Sequence, residues 1–228
     1  MQNLRSYGCS FIYGTDLADC VQEGPNATAS NVTWPALLAK RANLNYICNA
    51  IGGSGNLHIL EKLLRDVTSN PRDFYVVQWS WVDRFDYTDT DFDRNDHWYT
   101  LTPTNNSDVA HTYYKKLHSE VKDKFSSLVY ISTAISALTA QRTPFIMTCM
   151  DDLVFDSRWN APDSTRHLQH STHPYISRFG NKTFLDFSKA NKFPISKTLH
   201  PLEDAHTAAA SEMHGLFDSK MGSRWYAS

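Results

Sequence analysis

Nothing in this 228-residue sequence is apolar for long enough to cross a bilayer: its longest uncharged run, Phe125 to Gln141, is broken by seven Ser, Thr or Gln residues, whereas a spanning helix needs about 20 mostly apolar positions. Neither sign of charge is in excess. Lys plus Arg number 22 against 24 Asp plus Glu, a formal net charge of -2, so no overall field draws in nucleic acid or an anionic membrane. The four cysteines (Cys9, Cys20, Cys48, Cys149) form no CxxC motif and three lie in apolar strand-like runs, as reduced core thiols do. The first residues, MQNLRSYGCSF, lack the charged-then-apolar order of a signal peptide. A cytoplasmic chain is expected, in which the N-x-S/T triplets at Asn26, Asn31, Asn105 and Asn181 arise by chance. No repeat, low-complexity tract or long linker divides the sequence, so residues 1–228 are expected to form one domain.

What is present is an alternation of short apolar runs with helical periods. Leu4 to Cys9 reads as a first strand; Thr33-Trp34-Pro35 opens a helix over Ala36 to Ala42, and Tyr46 to Ala50 is a second strand. After the Gly52-Gly53-Ser54-Gly55 turn, Leu57, Leu60, Leu63, Leu64 and Val67 recur at helical spacing until Asn70-Pro71. Phe74 to Val77 and Phe145 to Met147 are the continuous apolar runs of strands buried on both faces. Between them a stripe from Tyr114 to Leu138 marks one long helix or a pair, and a last helix begins at Pro201. Four strand-helix alternations predict an α/β fold, a three-layer α/β/α sandwich around a mainly parallel sheet. Reactive groups in such a fold gather at the carboxyl ends of the strands.

Two residues fit that placement. Ser10 directly follows the first strand, where its hydroxyl can attack and its own N–H can face an oxyanion. A serine in that position also serves as an ordinary turn or cap residue. His200, in Leu199-His200-Pro201, precedes a helix whose positive end disfavours imidazolium and keeps the ring able to accept a proton. His206 lies further along the same helix, where packing or a supporting hydrogen bond suits it better.

Three segments together resemble the SGNH (GDSL-type) hydrolase superfamily. Tyr7-Gly8-Cys9-Ser10-Phe11 is similar to its G-D-S motif, Asn49 to Asn56 to its second block, and Leu199-His200-Pro201 with Glu203-Asp204-Ala205-His206 to its histidine block. The resemblance spans the whole domain and is nearest to SGNH-like proteins of tailed phages, in which case the host cytoplasm or the virion is the expected location. It implies an SGNH/flavodoxin-like fold, Ser10 as nucleophile, His200 as general base, and an oxyanion hole from the N–H groups of Ser10 and Gly52. It also implies a small ester or acylated glycan as substrate, with no cofactor, metal, nucleic acid or membrane partner; the sequence names no oligomeric or virion partner.

The sequence departs from the family at three places. Cys9 replaces the motif Asp, Lys197 stands where the family places the orienting Asp, and Gln78-Trp79-Ser80-Trp81-Val82-Asp83 offers no block-three Asn. Ser80 or Gln78 is a candidate substitute, and Glu203, Asp204 or Asp186 a candidate acid for His200. A catalytically silent module that binds carbohydrate or protein is the competing function. The stretch from Trp81 to Tyr99 interleaves aromatics with aspartates and is read as a long acidic loop, with Trp81, Phe85 and Trp98 as a possible substrate wall. Asp89-x-Asp91-x-Asp93 is similar to a calcium loop, but Arg94 and Thr100 occupy the places of its essential Gly and Glu. His167, His170 and His173 are read as a solvated loop, since no further ligand pattern accompanies them.

Overall fold

The computed structural model of the chain describes residues 2–22, 24–88, 98–160 and 162–222. A four-stranded parallel sheet is built from β1 (Asn3–Tyr7), β2 (Asn45–Cys48), β3 (Phe74–Trp79) and β6 (Phe145–Cys149), in the order β2-β1-β3-β6. Leu4 pairs with both Tyr46 and Phe74, and Val77 with Met147. The chain leaves β1 toward β2 on one side and later returns to β3 on the other. The carboxyl end of β1 is therefore the point where strand order reverses, the crevice in which such sheets bind ligands.

The apolar runs of β3 and β6 feed both faces of the sheet. Phe74, Val76 and Ile146 pack with α2 (Trp34–Arg41), α7 (Phe184–Ala190) and α8 (Glu203–Gly222), through Trp34, Leu38, Phe184, Ala209 and Phe217. Tyr75, Val77, Trp79 and Met147 face α3 (Asn56–Val67) and α5 (Glu120–Ala140), meeting Ile59, Leu63, Leu128, Ile131 and Leu138. Each such side chain taken fully from water contributes about 1.5–3 kcal/mol. The long stripe seen in the sequence is a helix pair, α4 (Asp108–Lys116) and α5, with the break at Leu117. Among the described residues no helix is long and apolar enough to cross a membrane, and all four cysteines are free.

Several expectations need correction. The first strand ends at Tyr7, because Cys9 caps a one-turn helix, α1 (Ser10–Tyr13). The last helix starts at Glu203 rather than Pro201, which instead bridges Ile195. The acidic aromatic stretch is not one irregular loop. It contains an antiparallel hairpin, β4 (Phe85–Thr88) and β5 (Trp98–Leu101), which places Phe85, Tyr87, Tyr99 and Leu101 on one face. Asp86, on the other face, accepts hydrogen bonds from Gly55 N (2.9 Å), His58 N (3.0 Å) and Thr100 Oγ1 (2.6 Å), capping α3 from outside. Asp89, Asp91, Asp93 and Arg94 of the calcium-like stretch lie outside the described residues. His167 and His170 lie on a helix, α6 (Asp163–Thr172), not in a loop, and His173 follows it in a 3-10 turn against Phe155.

Candidate active site

Gly8 carries the chain from β1 to Ser10. A Cβ there would lie 2.7 Å from Ile12 Cγ1 and 3.1 Å from Gln78 O, so only glycine lets the strand end pass this close to its neighbours. Ser10 then opens α1 and is 8% exposed. Cys9, beside it, is turned into the core, with Sγ 3.0 Å from Met150 Sδ. Gly14, at φ 84°, ends α1 after one turn by donating its N–H to Ser10 O (2.9 Å). That early stop brings Asp16 back toward the carboxyl end of the sheet.

The carboxylate that meets His200 is that of Asp16, a residue the sequence motifs do not single out. Its Oδ2 lies 2.9 Å from His200 Nδ1. Two further groups converge there: Thr198 Oγ1 and Ser196 Oγ both donate to Oδ2, the latter at 2.7 Å, and Thr198 Oγ1 also lies 2.8 Å from His200 Nδ1. The hydrogen bonds from Thr198 and Ser196, each outweighing the opposing effect of burial, and with less weight that from His200, hold the Asp16 carboxyl well below the usual carboxylate range. Asp16 and Leu199 both adopt left-handed backbone, at φ 70° and 67°. Aspartate tolerates that region, whereas leucine in it costs roughly 1–2 kcal/mol. The strain sits directly beside His200.

The His200 ring meets the Phe11 ring edge-on, with centroids 5.4 Å apart, which sets it against the residue next to Ser10. Nδ1 is occupied by Asp16 and Thr198, and Nε2 has no hydrogen-bond partner among the described residues. The Gly52 loop is tied to the same place. Ile51 N donates to Gly8 O (3.2 Å) and Asn49 N to Ser6 O (2.8 Å), while Asn49 Nδ2 reaches Asp66 (3.1 Å). Gly52 is exposed, its Cα side facing Thr15.

The other expected residues are placed elsewhere. Glu203 Oε1 accepts from Ala18 N at 2.9 Å, and Asp186 pairs with Thr183, so neither orients His200; Asp204 is exposed. Ser80 makes no hydrogen bond to His200 among the described residues. Its backbone is gripped by Asn56, whose Oδ1 accepts from Ser80 N (2.7 Å), and its Oγ is buried without a partner among the described residues. His206 is buried against Phe184. Its Nδ1 accepts from Trp34 N (3.1 Å), and burial pushes its pKa down to about 3 despite a hydrogen bond to the Pro201 backbone. It is a structural ring that fixes the residue after His200. Trp81 packs against the cluster containing Phe11, whereas Phe85 stacks on Tyr113 (4.2 Å) and Trp98 on His58 (5.2 Å).

Neither a protein-family model nor a curated protein sequence matches the chain. Solved structures do. The psychrotrophic esterase EstA from Pseudoalteromonas sp., inhibited by monoethylphosphonate, matches at TM-score 0.55 and 11% identity over 97% of this chain and 100% of that one. A G-D-S-L family lipolytic protein from Desulfitobacterium hafniense matches at 0.51 and 10%, over 95% and 99%. The acetyl xylan esterase Est2A from Butyrivibrio proteoclasticus matches at 0.53 and 15%, over 97% of this chain but 64% of that one. At these identities the likeness is one of fold: an SGNH/flavodoxin-like α/β sandwich shared with lipolytic and carbohydrate esterases.

Proposed function

We propose that the chain is a serine ester hydrolase in which Ser10 is the nucleophile, His200 the general base and Asp16 the acid that orients it. The observation that carries this reading is the His200 ring, held at Nδ1 by an ionised Asp16 and left open at Nε2, beside the segment that presents Ser10. Held at Nδ1, the ring keeps its proton there, so Nε2 is the basic nitrogen. Ser10 Oγ attacks the ester carbonyl as Nε2 takes its proton. The oxyanion is received by backbone N–H groups of Ser10 and Gly52. Collapse expels the alcohol, which takes the proton from Nε2 and leaves an acyl-Ser10 ester. Water then attacks that ester with His200 again as base, releasing the acid and restoring the serine.

A short acyl group, such as acetyl on a glycan, is the proposed substrate. The sequence contains no long apolar lid segment, and the fold is shared with an acetyl xylan esterase. Steady-state hydrolysis of 4-nitrophenyl acetate and of longer aryl esters tests this. The reading expects turnover that falls with chain length and is abolished by Ser10→Ala and His200→Ala. Equal turnover by wild type and Ser10→Ala would end the serine mechanism, and a preference for long chains would end the short-acyl assignment.

A further inference from the structure

The turn that carries His200 holds two hydroxyl side chains for which the acylation and deacylation steps have no use. Ser196 Oγ accepts from the backbone N–H of Thr198 (3.2 Å) and of His200 (3.1 Å). Those bonds occupy its two lone pairs and direct its only proton at Asp16 Oδ2, 2.7 Å away. Thr198 Oγ1 also donates to Asp16 Oδ2 and lies 2.8 Å from His200 Nδ1, so it touches both members of the acid–base pair. The turn itself is closed by Ser196 N to His200 O (2.9 Å) and Leu199 N to Ser196 O (3.1 Å). Side chains alternate along it: those of Ser196, Thr198 and His200 meet Asp16, although Thr198, like Lys197 and Leu199, is exposed.

We propose that Ser196 and Thr198 are positioning residues that clamp the Asp16 carboxylate, so that it faces His200 Nδ1 from the nucleophile's side of the site. This rests on the reading of Ser10 and His200 as nucleophile and base. The physical need is plain. Asp16 lies 184 positions from His200 in sequence, on a loop after a one-turn helix, and no helix or strand of its own fixes its carboxylate. Two hydroxyls from the histidine turn lock one oxygen of that carboxylate in line with the ring. They also favour its ionised form, which must stay charged to stabilise the imidazolium. Holding the acid from the base's own turn means that movement of the turn carries both partners together.

The test uses Thr198→Val, Thr198→Ser, Ser196→Ala and the double variant Ser196→Ala/Thr198→Val. Each is read by kcat and KM on an aryl ester and by the carboxyl carbon resonance of Asp16 between pH 3 and 6. Thr198→Val is expected to lower kcat about tenfold, and the double variant about a hundredfold, with KM little changed, as removal of charge-assisted hydrogen bonds implies. Thr198→Ser keeps the hydroxyl and should restore kcat. The Asp16 resonance should show no titration in the wild type, and a midpoint moved up into this window in the double variant. A wild type without any ester hydrolysis would overturn the serine-hydrolase reading and this one with it. An active wild type whose double variant keeps both its kcat and its Asp16 titration, losing only thermal stability, would overturn the positioning role alone.

Discussion

Replacing Asp16 by Asn probes the acid–base pair with the least change in shape. The carboxylate oxygen that collects Ser196, Thr198 and His200 Nδ1 becomes part of an amide with no charge. If the amide NH₂ turns toward the ring, it meets Nδ1 as a donor and forces the proton to Nε2, the wrong nitrogen for a base. If the amide oxygen turns there instead, the imidazolium formed during attack loses its counter-charge. The pair is largely shielded, at 13% and 27% side-chain exposure, so water does not fully replace what is lost. Loss of the orienting acid costs on the order of 10⁴ in kcat in a serine protease, about 5 kcal/mol at 1.36 kcal/mol per tenfold. With backbone strain and Phe11 still holding the ring, about 10³–10⁴ is expected here for Asp16→Asn, with KM nearly unchanged. The assay is steady-state hydrolysis of 4-nitrophenyl acetate, with circular dichroism to confirm folding. A folded Asp16→Asn protein with kcat within about threefold of wild type would refute Asp16 as the orienting acid.

Lys197→Asp restores a carboxylate at the family position, but Nδ1 is already engaged and Lys197 is exposed; kcat should change less than about threefold, and a tenfold gain would contradict the assignment. His206 is buried as the neutral ring, with its pKa pushed down to about 3, so the unfolded chain takes up a proton below pH ~6.5 that the fold refuses. Stability conferred by the neutral ring is present above that pH and is lost as pH falls toward 3, by about 1.4 kcal/mol per unit. Urea titrations of His206→Gln should show a shallower acid slope, and an unchanged slope would contradict the burial argument. Asp86→Ala strands the N–H groups of Gly55 and His58 at the start of α3 and should cost about 2–4 kcal/mol in urea unfolding; a loss under about 0.5 kcal/mol would show that the hairpin does not cap that helix.

The sheet was legible because a strand buried on both faces writes itself as an unbroken apolar run, and Phe74–Val77 and Phe145–Met147 do so. Ser10 and His200 were noticeable for a local reason too: Gly8 precedes the one at the end of a strand, and Pro201 follows the other shortly before a helix. Asp16 was not. Nothing near it in sequence relates it to a histidine 184 residues away, and the reach depends on Gly14 stopping α1 after one turn. The family spacing pointed to position 197 and drew attention from 196 and 198, which do the holding. The β4–β5 hairpin was passed over because its aspartates suggested a solvated loop. The alternation Phe85-Asp86-Tyr87 was a strand signal all the same, with the buried carboxylate capping a helix. The pairing of Ser80 with Asn56 joins the segment after β3 to the first residue of α3, which only the folded sheet brings together.

The central claim is that Ser10 is an activated nucleophile, and covalent labelling tests it most directly. The wild-type chain, treated with a fluorophosphonate and analysed by intact mass and peptide mapping, should gain a single phosphonyl group on Ser10. Labelling should be absent in Ser10→Ala and strongly slowed in Asp16→Asn. A folded wild-type chain that stays unlabelled, or carries the group on another residue, would contradict the account.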